Sequence, residues 1–302
     1  VELGILHEDL PYEPSDEAEI ALLEELLALK FKVLIHWGMP SLVINGLLQA
    51  GVALVHLAET SLEHPLSYSP TGLYDAAYMA GKYMAGLMPE NARILLVGGM
   101  RSSRRAEVGL SRVNGFLQAF KTLPGITIEH AQTGWAYTNG YDTVMEFLST
   151  TCPEPFDGVF GLSDSLVMAA QDALSHNGKL KPGAIIVGIN GDPFALTAIA
   201  SGKMTATVET SATELGHDAV DVASRIARGE SVPKYYPYRL RLVTSENVHQ
   251  VAAEKLFSIA ELPTRVIGLD RRINNKRYLQ LKTSLEINRR VGDILKLVGL
   301  TG

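Results

Sequence analysis

The 302-residue chain has a single cysteine, Cys152, and so no internal disulfide framework and no cysteine-based zinc site. The lone thiol does not fix the compartment, because many secreted proteins also lack disulfides. Runs of 18 apolar residues are absent, so nothing reads as a membrane span. No basic-then-apolar leader precedes the acidic start, and the first residue is Val1 rather than Met; the chain reads as processed or excised. Bases are missing from the first 29 residues, which hold nine acids. Catalytic signatures are missing too. Gly98-Gly99 follows an apolar run without a dinucleotide or phosphate-loop pattern. Ser163 lacks the second glycine of a nucleophile elbow. The eight histidines show no metalloprotease spacing. With no base–nucleophile pair and no cofactor motif, the chain reads as a non-enzyme without cofactor or metal.

What is present suits a folded α/β protein. An apolar content of 46% with 20% charged residues excludes a disordered chain. The net charge of −6 is uneven. Residues 261–302 hold nine Lys or Arg against four Asp or Glu, for +5, which leaves −11 on the first 260 residues. An acidic body argues against nucleic-acid binding.

Short apolar runs alternate with amphipathic stretches. Strands are expected at 1–6, 31–37, 52–57, 92–97, 127–131, 158–161 and 184–189. All are apolar on both faces, as in parallel strands covered on both sides. Helices are expected at 15–30, 42–50, 73–87, 106–122, 141–149, 166–176 and 195–201. Beyond 202, strands at 204–208 and 240–243 flank a helix at 213–228, and residues 233–238 read as a stiff connector. A polar helix is expected from Arg271 to Val298, with Ile287, Val291, Ile294 and Val298 as a short heptad seam.

Chemistry-bearing residues fall at the ends of these strands, where a parallel sheet presents its ligand crevice. Arg112 lies early in the helix after the 92–97 strand, and Trp135 follows the 127–131 strand. Ser163-Asp164 ends the 158–161 strand and Asn190-Gly191-Asp192 ends the 184–189 strand. An Arg, an indole and short amide or carboxylate groups suit a polyol, through paired hydrogen bonds to hydroxyls and a flat cover for the apolar face. Plainer readings stand beside this one: Trp135 as core, Asp164 as a helix cap, Arg112 in a surface ion pair. His7, His36 and His56 end three strand runs, as polar strand ends or as a metal site.

At these residues, and in the phrases Val187-Gly-Ile-Asn-Gly-Asp and Ala198-Ile-Ala-Ser-Gly-Lys-Met-Thr-Ala-Thr-Val, the chain resembles the type I periplasmic-binding-protein family. The likeness is to its ribose-type sugar-binding branch, which shares its fold with the ligand domains of lac-repressor-like regulators, and it runs to about residue 248. It implies two Rossmann-like lobes with parallel sheets, joined by a three-crossover hinge and closing on a small ligand. Residues 1–99 and 211–235 would form the first lobe and 100–210 with 236–248 the second. By position, Arg112 takes the sugar-clamping Arg, Trp135 the stacking aromatic, and Asp164 its family counterpart. Asn190 replaces an Asp, Ser163 an Asn, Thr71 a Ser, His36 or Trp37 an Asn, and Thr210 a Gln. Glu59, in Ala58-Glu59, stands where Asp-Arg is usual. That change implies a ligand other than ribose: a modified sugar, a polyol, a nucleoside or a cation. The strand at 1–6 matches the family's second, which implies about 40 missing residues ahead of it, or another element in that slot.

The tail, 249–302, is similar to the helical connectors that lead into GAF domains of sensor histidine kinases. It implies a sensory domain that signals to a downstream GAF or kinase domain, as a homodimer through the tail helix. A free solute receptor of a sugar ABC transporter is the alternative, and the ligand domain of a transcription regulator comes third. The compartment stays open between the family's extracytoplasmic default and the cytoplasm.

Overall fold

The computed structural model describes residues 4–7, 16–60, 62–99, 106–151, 154–260, 267–270 and 277–280. In chain order the elements are β1 (Gly4–His7), α1 (Asp16–Ala28), β2 (Val33–His36), α2 (Ser41–Gln49), β3 (Ala53–His56), β4 (Ser67–Thr71), α3 (Leu73–Ala85), β5 (Arg93–Val97), α4 (Ala106–Phe120), β6 (Thr127–Ala131) and α5 (Tyr137–Thr151). There follow β7 (Phe156–Gly161), α6 (Asp164–His176), β8 (Leu180–Asn190), α7 (Pro193–Ala200), β9 (Ala206–Glu209), α8 (Ala212–Ala227), β10 (Tyr235–Pro237), β11 (Arg241–Thr244), α9 (Val248–Ala260), β12 (Ile267–Asp270) and β13 (Arg277–Gln280). Two compact units result, one of Val1–Leu22 with Gln250–Gly302 and one of Leu23–His249.

The larger unit holds two sheets. The first has the order β10-β4-β3-β2, all parallel. The second has the order β11-β9-β8-β7-β5-β6, parallel except for β11 against β9. The apolar runs explain this. Ile94, Leu95, Leu96 and Val97 are all fully buried, so β5 is covered on both faces. β3 is buried throughout, whereas β2, at the edge of its sheet among the described strands, is only half-buried over its first three residues. Helix α8 packs on β2 and β3, and α3 packs on β8 and β9. The chain therefore crosses between the sheets three times: from β4 to α3, from β9 to α8, and from β10 to β11. The α/β architecture of parallel sheets and three crossovers is the one expected.

Three boundaries differ from expectation. β5, placed with the first lobe when residues 1–99 were assigned there, bonds to β6 and β7 in the six-stranded sheet, so the first crossover comes at Gly72. β10 was read as a connector and β4 was not anticipated, because Ser67-Tyr-Ser-Pro-Thr looks like a loop. The strand forms because Ser67 and Ser69 are buried with their hydroxyls bonded, Ser67 to His56 and Ser69 to the Thr60 N–H. Pro70 is tolerated there. Ser69 donates its N–H to Lys234 on the β10 side, so the missing N–H of Pro70 faces β3, whose pairing ends at Tyr68.

The smaller unit contains a three-stranded sheet in the order β1-β12-β13, with β1 parallel to β12 and β12 antiparallel to β13. The strand expected at 1–6 thus forms, paired to a distant segment. The helical tail holds as far as α9. β12 follows, just ahead of the helix expected from Arg271, and β13 falls inside that helix's range, consistent with Ile267 and Tyr278 in the two strands. Ile287, Val291, Ile294 and Val298 lie outside the described residues, as does Cys152.

The close packing of α3 on α4 rests on small residues. A Cβ on Gly115 would lie 2.2 Å from the Tyr74 carbonyl oxygen, and one on Gly81 would lie 2.8 Å from the Ala119 Cβ. Backbone cannot yield as a side-chain tip can. Gly115→Ala is expected to destabilise the protein by about 1–3 kcal/mol. Gly216→Ala in α8, where a Cβ meets nothing within 4 Å, is expected to stabilise by about 0.5–1 kcal/mol. Urea unfolding of both variants checks the pair, and a neutral Gly115→Ala would contradict the packing account.

Candidate functional site

The C-terminal ends of β6, β7, β8 and β9 deliver the second-lobe residues to one edge of the six-stranded sheet, and α4 adds Arg112. Arg112 is buried, at 6% exposure, which removes the surface ion-pair reading. Its Nη1 donates to the Leu162 carbonyl and, at 3.2 Å, to the Asn190 side-chain oxygen. Its guanidinium carbon lies 5.5 Å from the centre of the half-buried Trp135 ring, a cation–π contact. Its buried Nε has no partner in the structure. Burial pulls the guanidinium below its ordinary pKa, opposed by nearby Tyr238, Asp164, Glu59 and Asp192. An arginine stays protonated in proteins. The result is a desolvated cation whose direct hydrogen-bond partners are neutral.

Asn190 closes β8 with φ +122, a conformation L side chains rarely adopt. Its carbonyl accepts the Thr210 N–H at 3.4 Å, and Thr210 is buried beside it. Asp164 is fully enclosed and spends both oxygens on protein: Oδ1 accepts the Thr207 hydroxyl at 2.7 Å and Oδ2 the Asp192 N–H at 2.8 Å. It therefore braces the turn that carries Asn190. Burial pushes its carboxyl up to about 7, against those hydrogen bonds. The cap of α6 is Ser163, whose Oγ accepts the Leu166 N–H at 3.4 Å.

The first-lobe candidates do not all join this cluster. Thr71 ends β4, and its carbonyl accepts the Tyr238 N–H at 2.8 Å. The Glu59 carboxylate accepts the Gly72 N–H and the Ser111 hydroxyl, at 3.0 and 2.9 Å. Trp37 is 65% exposed. His36 and His56, at matching positions on β2 and β3, meet edge to face with ring centres 4.4 Å apart. His56 Nε2 bonds to Ser67 Oγ at 2.9 Å, whereas both ring nitrogens of buried His36 are unpartnered. A buried group with an unmet donor and acceptor marks a place where a ligand hydroxyl or a water is wanted. His7 lies in the other unit. Among the described residues no three metal-ligating side chains come together. His56, Ser111, Asp192 and Tyr238 were not singled out from sequence as binding residues. Only Asp192 and His56 carried a signal, as members of a strand-end motif and of the histidine series.

A scan against family models matches residues 6–231 to the periplasmic binding protein domain. The chain belongs to that family. The ribose import binding protein of Salmonella typhimurium is 29% identical over 168 residues, 56% of this chain and 54% of that one. A putative rhizopine-binding protein of Rhizobium meliloti is 25% identical over 205 residues, 66% of this chain and 65% of that one. An ABC transporter solute-binding protein from Bacillus halodurans, solved with myo-inositol, superposes with a TM-score of 0.68 at 22% identity, over 79% of this chain and 83% of that one. The chain spans about half the length of the ribose-binding relatives it matches. Among the described residues, no helix is long and apolar enough to cross a membrane.

The histidine pair gives the family member a pH signature. Burial, with the neighbouring His56, lowers His36 from 6.5 to about 3, and burial lowers His56 to about 4. The unfolded chain binds these protons below about pH 6.5 and the native state does not. Stability is therefore complete above pH 6.5 and falls as the pH drops toward about 4. Asp164 opposes this between about pH 4 and 7, so the comparison must be with a variant. Urea midpoints at pH 7.5, 5.5 and 4.5 should fall more steeply for wild type than for His36→Asn, and parallel curves would reject the assignment.

Proposed function

We propose that the chain binds a small polyhydroxylated solute, a sugar or a polyol, as the receptor component of an ABC-type importer. The observation that carries this is Arg112, a buried cation with an unpartnered Nε, fixed on Asn190 and the Leu162 carbonyl and faced by an indole. Such a group holds hydroxyl oxygens strongly, because the site is already desolvated. The Trp135 ring supplies the flat apolar face beside it. Asn190, Thr210, Thr71, Ser163, His36 and Trp37 complete the proposed lining. Asp164 acts behind it, through the Asn190 turn.

The relatives support the transporter alternative over the sensor. Those cited are a ribose import binding protein, a putative rhizopine-binding protein and an ABC transporter solute-binding protein holding myo-inositol. Support for the sensor came from a helical tail, and β12 and β13 interrupt that tail. A GAF or kinase partner and a tail-mediated dimer gain nothing from the described residues.

Isothermal titration with D-ribose and myo-inositol tests the reading. Arg112→Ala should weaken binding of whichever probe wild type takes by about tenfold to a hundredfold, the worth of one charged hydrogen bond. Trp135→Ala should weaken it by a smaller factor. Wild-type affinity in both variants, or no binding of either probe by wild type, would reject the site or the solute class respectively.

A further inference from the structure

Glu59 follows β3 on the side of the four-stranded sheet, yet its carboxylate is held by one group at the first crossover and one beyond it. Oε1 accepts the backbone N–H of Gly72 at 3.0 Å. Gly72 is the N-cap of α3 and has no side chain with which to cap, and its φ of +125 suits glycine alone. Glu59, thirteen residues earlier, accepts that cap residue's own N–H, as the carboxylate of a capping box does, and places a negative charge at a helix N-terminus. Oε2 accepts the hydroxyl of Ser111 at 2.9 Å. Ser111 sits on α4, next to Arg112, and α4 packs on α3 over the six-stranded sheet.

The two arms differ in what opening would do to them. Gly72 lies at the crossover, which any hinge motion leaves nearly in place. Ser111 lies beyond it, on the body of the second lobe. The junction is otherwise tied by Tyr238, whose N–H donates to the Thr71 carbonyl at 2.8 Å and whose hydroxyl donates to the Leu57 carbonyl at 3.0 Å. Those bonds link crossovers and strand ends. The Glu59–Ser111 bond reaches from a first-lobe strand end to a second-lobe helix.

We propose that Glu59 is a latch between the lobes, holding them together through Ser111 before any solute arrives, and is not the ligand contact that its sequence position suggests. The device biases an open–closed equilibrium, so it raises apparent affinity by pre-populating the binding-competent state. It holds whether or not the solute is a sugar.

The test needs no ligand. Spin labels at Gln49→Cys on α2 and Ser175→Cys on α6, in a Cys152→Ser background, report the interlobe distance by pulsed electron resonance. Glu59→Ala should move the ligand-free distribution to longer distance, with about a tenfold change in the open-to-closed ratio for the lost charged hydrogen bond. Ser111→Ala should reproduce the shift while leaving the cap on α3, and Glu59→Ala with Ser111→Ala should add nothing to Glu59→Ala in that ratio. Should Glu59→Ala unfold for want of the cap, the Ser111→Ala distribution alone decides. An unchanged ligand-free distribution in folded Ser111→Ala would overturn the latch.

Discussion

Enclosing a guanidinium costs several kcal/mol unless neighbouring groups replace its water, and the second lobe is organised around meeting that demand at Arg112. The replacement comes from three strands. β7 leads to the Leu162 carbonyl, β8 ends at the Asn190 amide, and β6 leads to the Trp135 ring. Each group can arrive only because parallel strands bring their C-terminal ends to one edge. The supply is incomplete at Nε, the unmet donor on which the proposed ligand site rests.

Placing Arg112 there also constrains packing far from the cleft. The residue sits on α4, so α4 must approach the sheet and its neighbour α3 closely. Gly115 against the Tyr74 carbonyl and Gly81 against Ala119 permit that approach. On the sheet side, Gly188 leaves room for the Asp164 carboxylate, since a Cβ there would lie 2.4 Å from its oxygen. Asp164 then fixes the Asn190–Asp192 turn, with Asn190 held at a φ that an unsupported loop would abandon. Small residues in the helices and sheet thus set the position of large polar ones in the site.

The first lobe contributes in another way. Its core joins Val55 and Leu73 to Leu215, Val222, Tyr236 and Tyr238, so segments from both sides of the crossovers share one apolar cluster. The tyrosines also bond through their hydroxyls to the carbonyls of His56 and Leu57 at the end of β3. Burial, opposed by Arg112 and aided by Glu59, pushes the Tyr238 phenol up to about 12, so it remains a donor across the ordinary pH range. The crossovers are thereby packed and hydrogen-bonded together, while the strand ends that face the crevice keep unmet polar groups such as His36.

Local pattern sufficed for most of the architecture. Runs such as 92–97 and 184–189 are apolar on both faces, and that property alone calls for a covered parallel strand. Order along the chain then placed Arg112, Trp135 and Asn190 at one sheet edge. β4 was missed because its serines read as loop until His56 and the Thr60 N–H bury and satisfy them. The sheet to which β5 belongs was misplaced because strand pairing is a long-range choice that no local run encodes. The protein hydrogen bonds of Asp164 and Glu59 were not legible for the same reason. Thr207 lies 43 residues from Asp164 and Ser111 lies 52 from Glu59. The sequence by itself determined which residues could serve a polar ligand, since side-chain chemistry and strand-end position are local. Only the tertiary structure decided which carboxylates are already occupied by protein donors, because a hydrogen-bond acceptor is used up by whatever the fold brings within 3 Å of it.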